Sequence, residues 1–309
     1  MQWSYRFRNR LNQLIAVALA ATALAACVSP SVDVAPQRLV LNARPNGIAV
    51  RATDGTVFIT DDLSNSVLSA SEGQAFAHYV SIPTVAGQAN SLSQLTFINA
   101  NTLLIERFGY GSASAIFDSP APDKVQALLG LDPSRHRLGL ALAAPGKLLS
   151  SWFVKQGKQA LEGGVSLLSY DASTHQVVEH DVLKGLSKPV GIVVADDTVF
   201  VSDQTQNRVV RVSLQAVLHT TQAIAPDTVV AQIHGPDLMT LDAAGTLYTK
   251  CDTHSLCAIA SNGTVTVLAN DFQDARGVAV DQLHHRLYAI DRASSASGIS
   301  YLRSFPLGR

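Results

Sequence analysis

The chain is poor in charge. Of its 309 residues only 15% are Asp, Glu, Lys or Arg, and the formal net charge is −1. With no basic stripe and no surplus of positive charge, nothing in the composition attracts a polyanion, so no nucleic-acid partner is expected. Sequences for familiar catalytic devices are missing as well. There is no Gly-x-Ser-x-Gly elbow, no helical His-Glu-x-x-His and no Cys-x-x-Cys, so hydrolases and metal centres of those types have no motif behind them. Strongly amphipathic helical patterns are scarce. The longest apolar run, Leu14 to Ala26, is shorter than the roughly 20 residues that span a bilayer.

What the chain does have is apolar content and repetition. Hydrophobic residues make up 47% of it, enough at this length for a large core. The phrase Arg44-Pro45-Asn46-Gly47-Ile48-Ala49-Val50 is followed by Asp54-Gly55-Thr56-Val57-Phe58-Ile59-Thr60-Asp61. Related phrases are Pro189-Val190-Gly191-Ile192-Val193-Val194 with Val199 to Asp203, Pro236-Asp237-Leu238-Met239 with Gly245 to Tyr248, and Arg276-Gly277-Val278-Ala279-Val280 with Leu287 to Asp291. The period is roughly 40–50 residues, which marks a repeat architecture. Unit starts fall near Gly47, Gln94, Gly139, Gly191, Leu238 and Gly277, the second and third in degenerate form.

Between the phrases the sequence alternates apolar and polar residues and is punctuated by Asp-Gly, Asn-Gly and Ala-Gly turns, as strands and hairpins require. Asn262-Gly263 predicts a tight hairpin with positive φ at both central residues. Lys124 to Leu131 and Leu214 to His219 are candidate short helices. The fold class expected is all-β, a six-bladed β-propeller of four-stranded antiparallel blades. Residues 299–305 leave the last blade one strand short, and Arg38 to Leu41 are placed to supply it, closing the ring and removing an exposed edge.

The first segment reads as a targeting signal. Arg6, Arg8 and Arg10 form a positive region before the apolar run. The run ends in Leu24-Ala25-Ala26-Cys27, which resembles the lipobox of bacterial lipoproteins. That resemblance implies a signal peptide over 1–26, lipidation of Cys27, a tether over 27–37 and the propeller over 38–309. Attachment would be to the membrane through the acylated Cys27. The non-acidic Val28 implies the outer membrane of the cell envelope, facing the periplasm. Ordinary secretion with cleavage after Ala23-Leu24-Ala25 is the alternative.

Export would place Cys251 and Cys257 in an oxidising compartment, where a disulfide across their short connection is reasonable. Metal binding by the two with His254 is the other option, although the spacing matches no strong zinc pattern.

The recurring phrases, each followed by a turn and a strand ending in Asp, resemble NHL repeats and the six-bladed gluconolactonase and senescence-marker superfamily. The resemblance covers residues 38–305. It implies a divalent cation, Ca²⁺ or a similar hard ion, at the channel mouth, held by oxygens from separate blades. Asn46 matches the Asn of one family phrase and Asp237 the Asp of another. Val190 and Arg276 depart from the pattern: the first lacks a side-chain oxygen, and the second would repel a metal and pair with Asp237 instead. Glu106 is the nearest acidic residue to the family's Glu ligand. Asp61, Asp203 and Asp291 recur at strand ends and are read as turn-binding structural residues.

Two further segments stand out. Glu106-Arg107-Phe108-Gly109-Tyr110-Gly111-Ser112 breaks the repeat with paired glycines and aromatics. The long connection after Trp152, running to Glu162-Gly163-Gly164, is a second loop suited to a ligand. His136-Arg137 is expected to face the same mouth. The candidate binding residues are therefore Asn46, Arg107, Phe108, Arg137, Trp152, Asp237 and Arg276, with Asn46 and Asp237 as candidate metal ligands. The expected function is recognition of a small molecule or an envelope protein without catalysis. The alternative is a metal-dependent lactonase or esterase.

Overall fold

The computed structural model describes residues 37–109, 113–295 and 297–308. The proposed signal peptide, Cys27 and nearly all of the proposed tether lie outside them, as do Tyr110, Gly111 and Ser112.

A first strand, β1 (Gln37–Leu41), precedes the repeats. Blade one holds β2 (Ile48–Val50), β3 (Val57–Asp61), β4 (Ser66–Ala70) and β5 (Ala77–Ser81). Blade two holds β6 (Leu92–Phe97), β7 (Leu103–Arg107), β8 (Ala115–Ala121) and β9 (Lys124–Ala127). Blade three holds β10 (His136–Ala144), β11 (Lys147–Val154), β12 (Glu162–Asp171) and β13 (Gln176–Leu186). Blade four holds β14 (Pro189–Ala195), β15 (Thr198–Asp203), β16 (Arg208–Ser213) and, after helix α1 (Leu214–His219), β17 (Thr228–Gln232). Blade five holds β18 (Met239–Leu241), β19 (Leu247–Lys250), β20 (Leu256–Ile259) and β21 (Val265–Ala269). Blade six holds β22 (Ala275–Asp281), β23 (Arg286–Asp291) and β24 (Ser300–Pro306), and β1 pairs antiparallel with β24 as its fourth strand. The expected ring closure is therefore present, with Leu39 opposite Leu302.

A single blade cannot bury both faces, so the blades bury one another. Among the described residues the apolar side chains gather in six clusters, and each bridges two successive blades. The cluster of Ile48, Ile59, Ala279, Ile290 and Leu302 joins blade six to blade one. Each fully buried Leu, Ile or Val contributes about 1.5–3 kcal/mol relative to exposure.

The recurring glycines have a packing reason. A Cβ on Gly277 would lie 2.5 Å from the Asn46 carbonyl of the next blade, and one on Gly191 would lie 2.7 Å from the Asp237 carbonyl. Gly47 and Gly139 meet Ser93 and Val190 in the same way. Only a residue without a side chain lets the innermost strands approach this closely. Hydroxyls stitch the same seam. Gly139 N–H donates to Ser151 Oγ at 2.8 Å, and Ser151 Oγ donates to the Val190 carbonyl at 2.9 Å.

Two local expectations are corrected. Lys124 to Leu131 does not open as a helix, since Lys124–Ala127 is the outer strand of blade two. Its Val125 and Ala127 alternate inward onto the core, and the need to pair with β8 outweighs helix preference. At Asn262-Gly263 the hairpin is present, but only Gly263 has positive φ, at 84°. Its N–H donates to the Ala260 carbonyl at 2.8 Å, and Thr264 N–H donates to Asn262 Oδ1 at 2.9 Å, so the loop is one residue longer than a two-residue turn. Leu214–His219 is helical as expected, with Ser213 capping its first turn.

Candidate functional site

The first residues of each glycine phrase precede an innermost strand, and the residue after each second strand returns to the same end. All six blades therefore present side chains around one opening of the channel. A cavity of about 490 Å³ lies there, within the usual range for a small-molecule site. Its polar wall includes Arg44, Asn46, Asp62, Lys188, Asp237 and Arg276, with Arg292 beside them. Leu63, Leu92, Leu138, Leu238 and Phe108 supply apolar surface.

Asn46 is held on both sides. Its Nδ2 donates to Asp62 Oδ2 at 2.9 Å and to the Leu92 carbonyl at 3.1 Å, while its Oδ1 accepts from Arg292. Arg292 Nη2 also pairs with Asp62 Oδ2 at 3.0 Å. Burial pushes the Asp62 carboxyl above its usual range, with the Leu92 N–H and Arg292 opposing.

Across the mouth, Arg276 lies 3.5 Å from Asp237 Oδ2 and 2.7 Å from Asp274. Lys250 Nζ stands 3.8 Å from the same Asp237 oxygen. Burial pulls Arg276 down, but Asp237 and Asp274 more than offset it and raise it overall. The pairing of Arg276 with Asp237 expected from the sequence is present.

Four of the candidate residues meet here: Asn46, Phe108, Asp237 and Arg276. Three do not. Arg107 turns aside to the Ala113 carbonyl at 2.7 Å and the Pro83 carbonyl at 2.8 Å, with its guanidinium 5.0 Å from the Phe117 ring centre. Arg137 is 0% exposed and pairs with Glu179 of the same blade at 2.7 Å. Trp152 is 8% exposed, with Arg135 lying 3.9 Å from its ring centre.

Strand alternation explains these corrections. Leu138, the neighbour of Arg137, is the residue that lines the cavity. Arg107 and Trp152 also occupy the register position that Asp203 and Asp291 hold in their own blades, opposite Leu92, Arg137, Pro189 and Ala275 respectively. That position binds turns. Asp203 accepts from Ser187 and Lys188 N–H groups at 2.9 and 3.0 Å, Asp291 from Gln273 N–H at 2.7 Å, and Asp61 from Arg44 N–H at 2.8 Å.

The residue one step further points at the mouth, which places Asp62, Phe108 and Arg292 in the wall. Sequence reasoning missed Asp62 and Arg292, and also Arg44 and Lys188. The position after each strand-end Asp was the available signal. Phe108 stacks on His136 with ring centres 4.9 Å apart, and His136 Nδ1 donates to the Gly109 carbonyl at 2.6 Å.

Glu106 does not reach the cavity. It is 0% exposed, accepts from Ser150 Oγ at 2.9 Å, and has Oε2 without a partner. Burial pushes its carboxyl up to about 8, with Ser150 and Arg137 opposing. Among the described residues no group of three or more His, Cys, Asp or Glu is arranged to hold a metal ion. Cys251 and Cys257 form a disulfide across their hairpin, while His254 Nδ1 donates to the Phe272 carbonyl at 2.8 Å.

No family model matches the chain. No curated protein matches it either. Solved structures do. A gluconolactonase from Xanthomonas campestris superposes with a TM-score of 0.66 at 15% identity, covering 88% of this chain and 90% of that one. The chain has their fold. The calcium-binding protein regucalcin from Agrobacterium tumefaciens gives a TM-score of 0.61 at 16% identity, over 86% and 94% of the two chains. Virginiamycin B lyase from Staphylococcus aureus gives 0.57 at 15% identity, over 86% and 98%. At these identities the likeness is one of architecture, and a single propeller carries many functions.

Proposed function

We propose that the chain is a recognition propeller of the bacterial envelope. A lipidated Cys27 tethers it to the outer membrane, and the six-bladed mouth takes a small molecule or a group on an envelope protein. No covalent chemistry is required of it. The observation that carries this reading is the engagement of the mouth's oxygens by the protein's own cations. Asn46 Oδ1 and Asp62 serve Arg292, and Asp237 serves Arg276 and Lys250.

A calcium-type cation needs several oxygens free of competing positive charge. Asn46 and Asp237 fit it only if both arginines swing out, so the donor set as arranged does not fit a dication. The likeness to a gluconolactonase and to a calcium-binding regucalcin favours a second reading, a metal-dependent lactonase or esterase with Asn46 and Asp237 as ligands.

A hydrolysis screen over lactones and esters, with and without chelator, separates the two. Recognition alone predicts no chelator-sensitive turnover. Turnover abolished by chelator and by Asp237→Ala would establish the lactonase reading.

A further inference from the structure

The mouth has more positive charge than it neutralises. Its wall carries Arg44, Lys188, Arg276 and Arg292 against the carboxylates of Asp62 and Asp237. The two adjoining groups, Lys250 and Asp274, pair with the same set and leave the balance unchanged. Two cations remain in excess, and the contacts say which. Arg292 belongs to Asp62, and Arg276 to Asp237 and Asp274.

Arg44 has no such partner. Among the described residues its guanidinium makes no hydrogen bond or ion pair, and its Nε is buried and unsatisfied. Lys188 Nζ donates at 2.7 Å to the neutral amide oxygen of Gln204. Arg292 Nε is a second buried donor without an acceptor.

These cations also repel one another. Lys188 is pulled below the usual lysine range by burial, with Asp237 opposing and Arg276 and Lys250 adding to the fall. Arg292 is lowered by burial, with Asp62 opposing and Arg276 and Arg44 adding. Buried donors with no acceptor and cations with no counter-ion are costly arrangements. They persist in a concave site where a bound anion would satisfy both.

We infer that the mouth binds a small organic dianion, its charge carried by two carboxylates or by one phosphate group, with Arg44 and Lys188 as its main contacts. This rests on the small-molecule reading of the same cavity and names the ligand's class. Arg292 and Arg276, held by their own carboxylates, form the rear of the cradle. Leu138, Leu238 and Phe108 flank the ligand's carbon part. Guanidinium groups suit planar, bidentate oxyanions, and charge-assisted bonds of this kind are the strong ones.

The test is isothermal titration of the full chain, purified in detergent, with succinate, with glycerol phosphate, and with uncharged dimethyl succinate. Saturable binding of succinate or glycerol phosphate is expected at low salt, weakened by added salt, and not matched by the dimethyl ester. Which of the two binds more tightly decides between paired carboxylates and phosphate. Arg44→Gln and Lys188→Gln should each weaken that binding about tenfold. Neither side chain holds the fold together, and circular dichroism of both variants should match the parent.

Binding of the dimethyl ester as tight as that of succinate, and weakened by Phe108→Ala, would overturn the charge assignment while leaving the small-molecule reading intact. Dianion binding unchanged in both variants would overturn the assignment to Arg44 and Lys188. Failure of all three probes to bind at millimolar concentration would overturn the inference and count against the reading beneath it.

Discussion

The Ser202 hydroxyl of blade four donates to the main-chain carbonyl of Asp237 in blade five at 2.8 Å. The same oxygen accepts the Gly191 N–H at 2.7 Å. One buried side chain therefore satisfies a donor and an acceptor belonging to neighbouring blades, at the edge of the mouth. Ser202→Ala leaves the Gly191 N–H unpaired and the Asp237 carbonyl with only the longer contact from Thr249 Oγ1 at 3.4 Å, and should lower stability by about 1–3 kcal/mol. Urea unfolding that gives the same midpoint for parent and variant would show that the link is dispensable.

Gly191→Ala tests the close approach itself. The added carbon would meet the Asp237 carbonyl at 2.7 Å and Met239 N at 2.8 Å, both main-chain atoms. A loss of roughly 1–3 kcal/mol is expected. Gly73→Ala is the control for glycine replacement as such, because a Cβ there meets nothing within 4 Å and the only cost is its φ of 72°. It should lose less.

Glu106 predicts a pH dependence with a definite sign. Its folded value lies near 8, against an ordinary 4.5, so the folded chain keeps a proton that the unfolded chain releases. Stability from this group is fully present below about 4.5 and declines as pH rises, levelling off above about 8. Glu106→Gln, which keeps the shape and removes the titration, should flatten that decline. Denaturant melts of parent and variant at pH 5, 7 and 9 would check it, and parallel curves would contradict the assignment.

The architecture was legible in the sequence because one physical demand recurs. Each innermost strand must approach the next blade closely, so glycine returns at Gly47, Gly139, Gly191 and Gly277. Blade two departs from this. Gln94 stands where the glycine stands elsewhere, with Leu95 opposite Ile105 as Ile192 is opposite Val201, and Glu106 falls where Ser202 stands in blade four. The mouth was only half legible. Asn46, Asp237 and Arg276 lie within the phrases themselves and were found. Arg44 heads the first phrase but carries no oxygen ligand to single it out, Lys188 and Arg292 lie outside the phrases, and nothing in a one-dimensional reading brings residues 44 and 292 to one rim. Arg137 and Trp152 looked like ligand contacts by residue type, but strand alternation and the turn-binding register position turned them into the blades.

The disulfide gives a stability prediction. Cys251 and Cys257 are six positions apart, so their bond closes a short loop. Replacing both by serine should cost about 2 kcal/mol in the chain-entropy account. Thermal melts of parent and double variant, both without reductant, measure it, and an unchanged midpoint would contradict it.

The proposed lipid anchor is tested at Cys27. Expressed in a bacterial host, the parent should fractionate with membranes and Cys27→Ser with the soluble fraction. Equal membrane association of the two would contradict lipid anchoring.

The most direct test of the central claim, that the protein's own arginines and lysine occupy the oxygens of the mouth, is metal content after purification without chelator. Elemental analysis of the purified chain should find calcium and zinc far below one ion per chain, and added calcium should leave the melting temperature unchanged. One tightly held ion per chain, lost together with stability in Asp237→Ala, would contradict it.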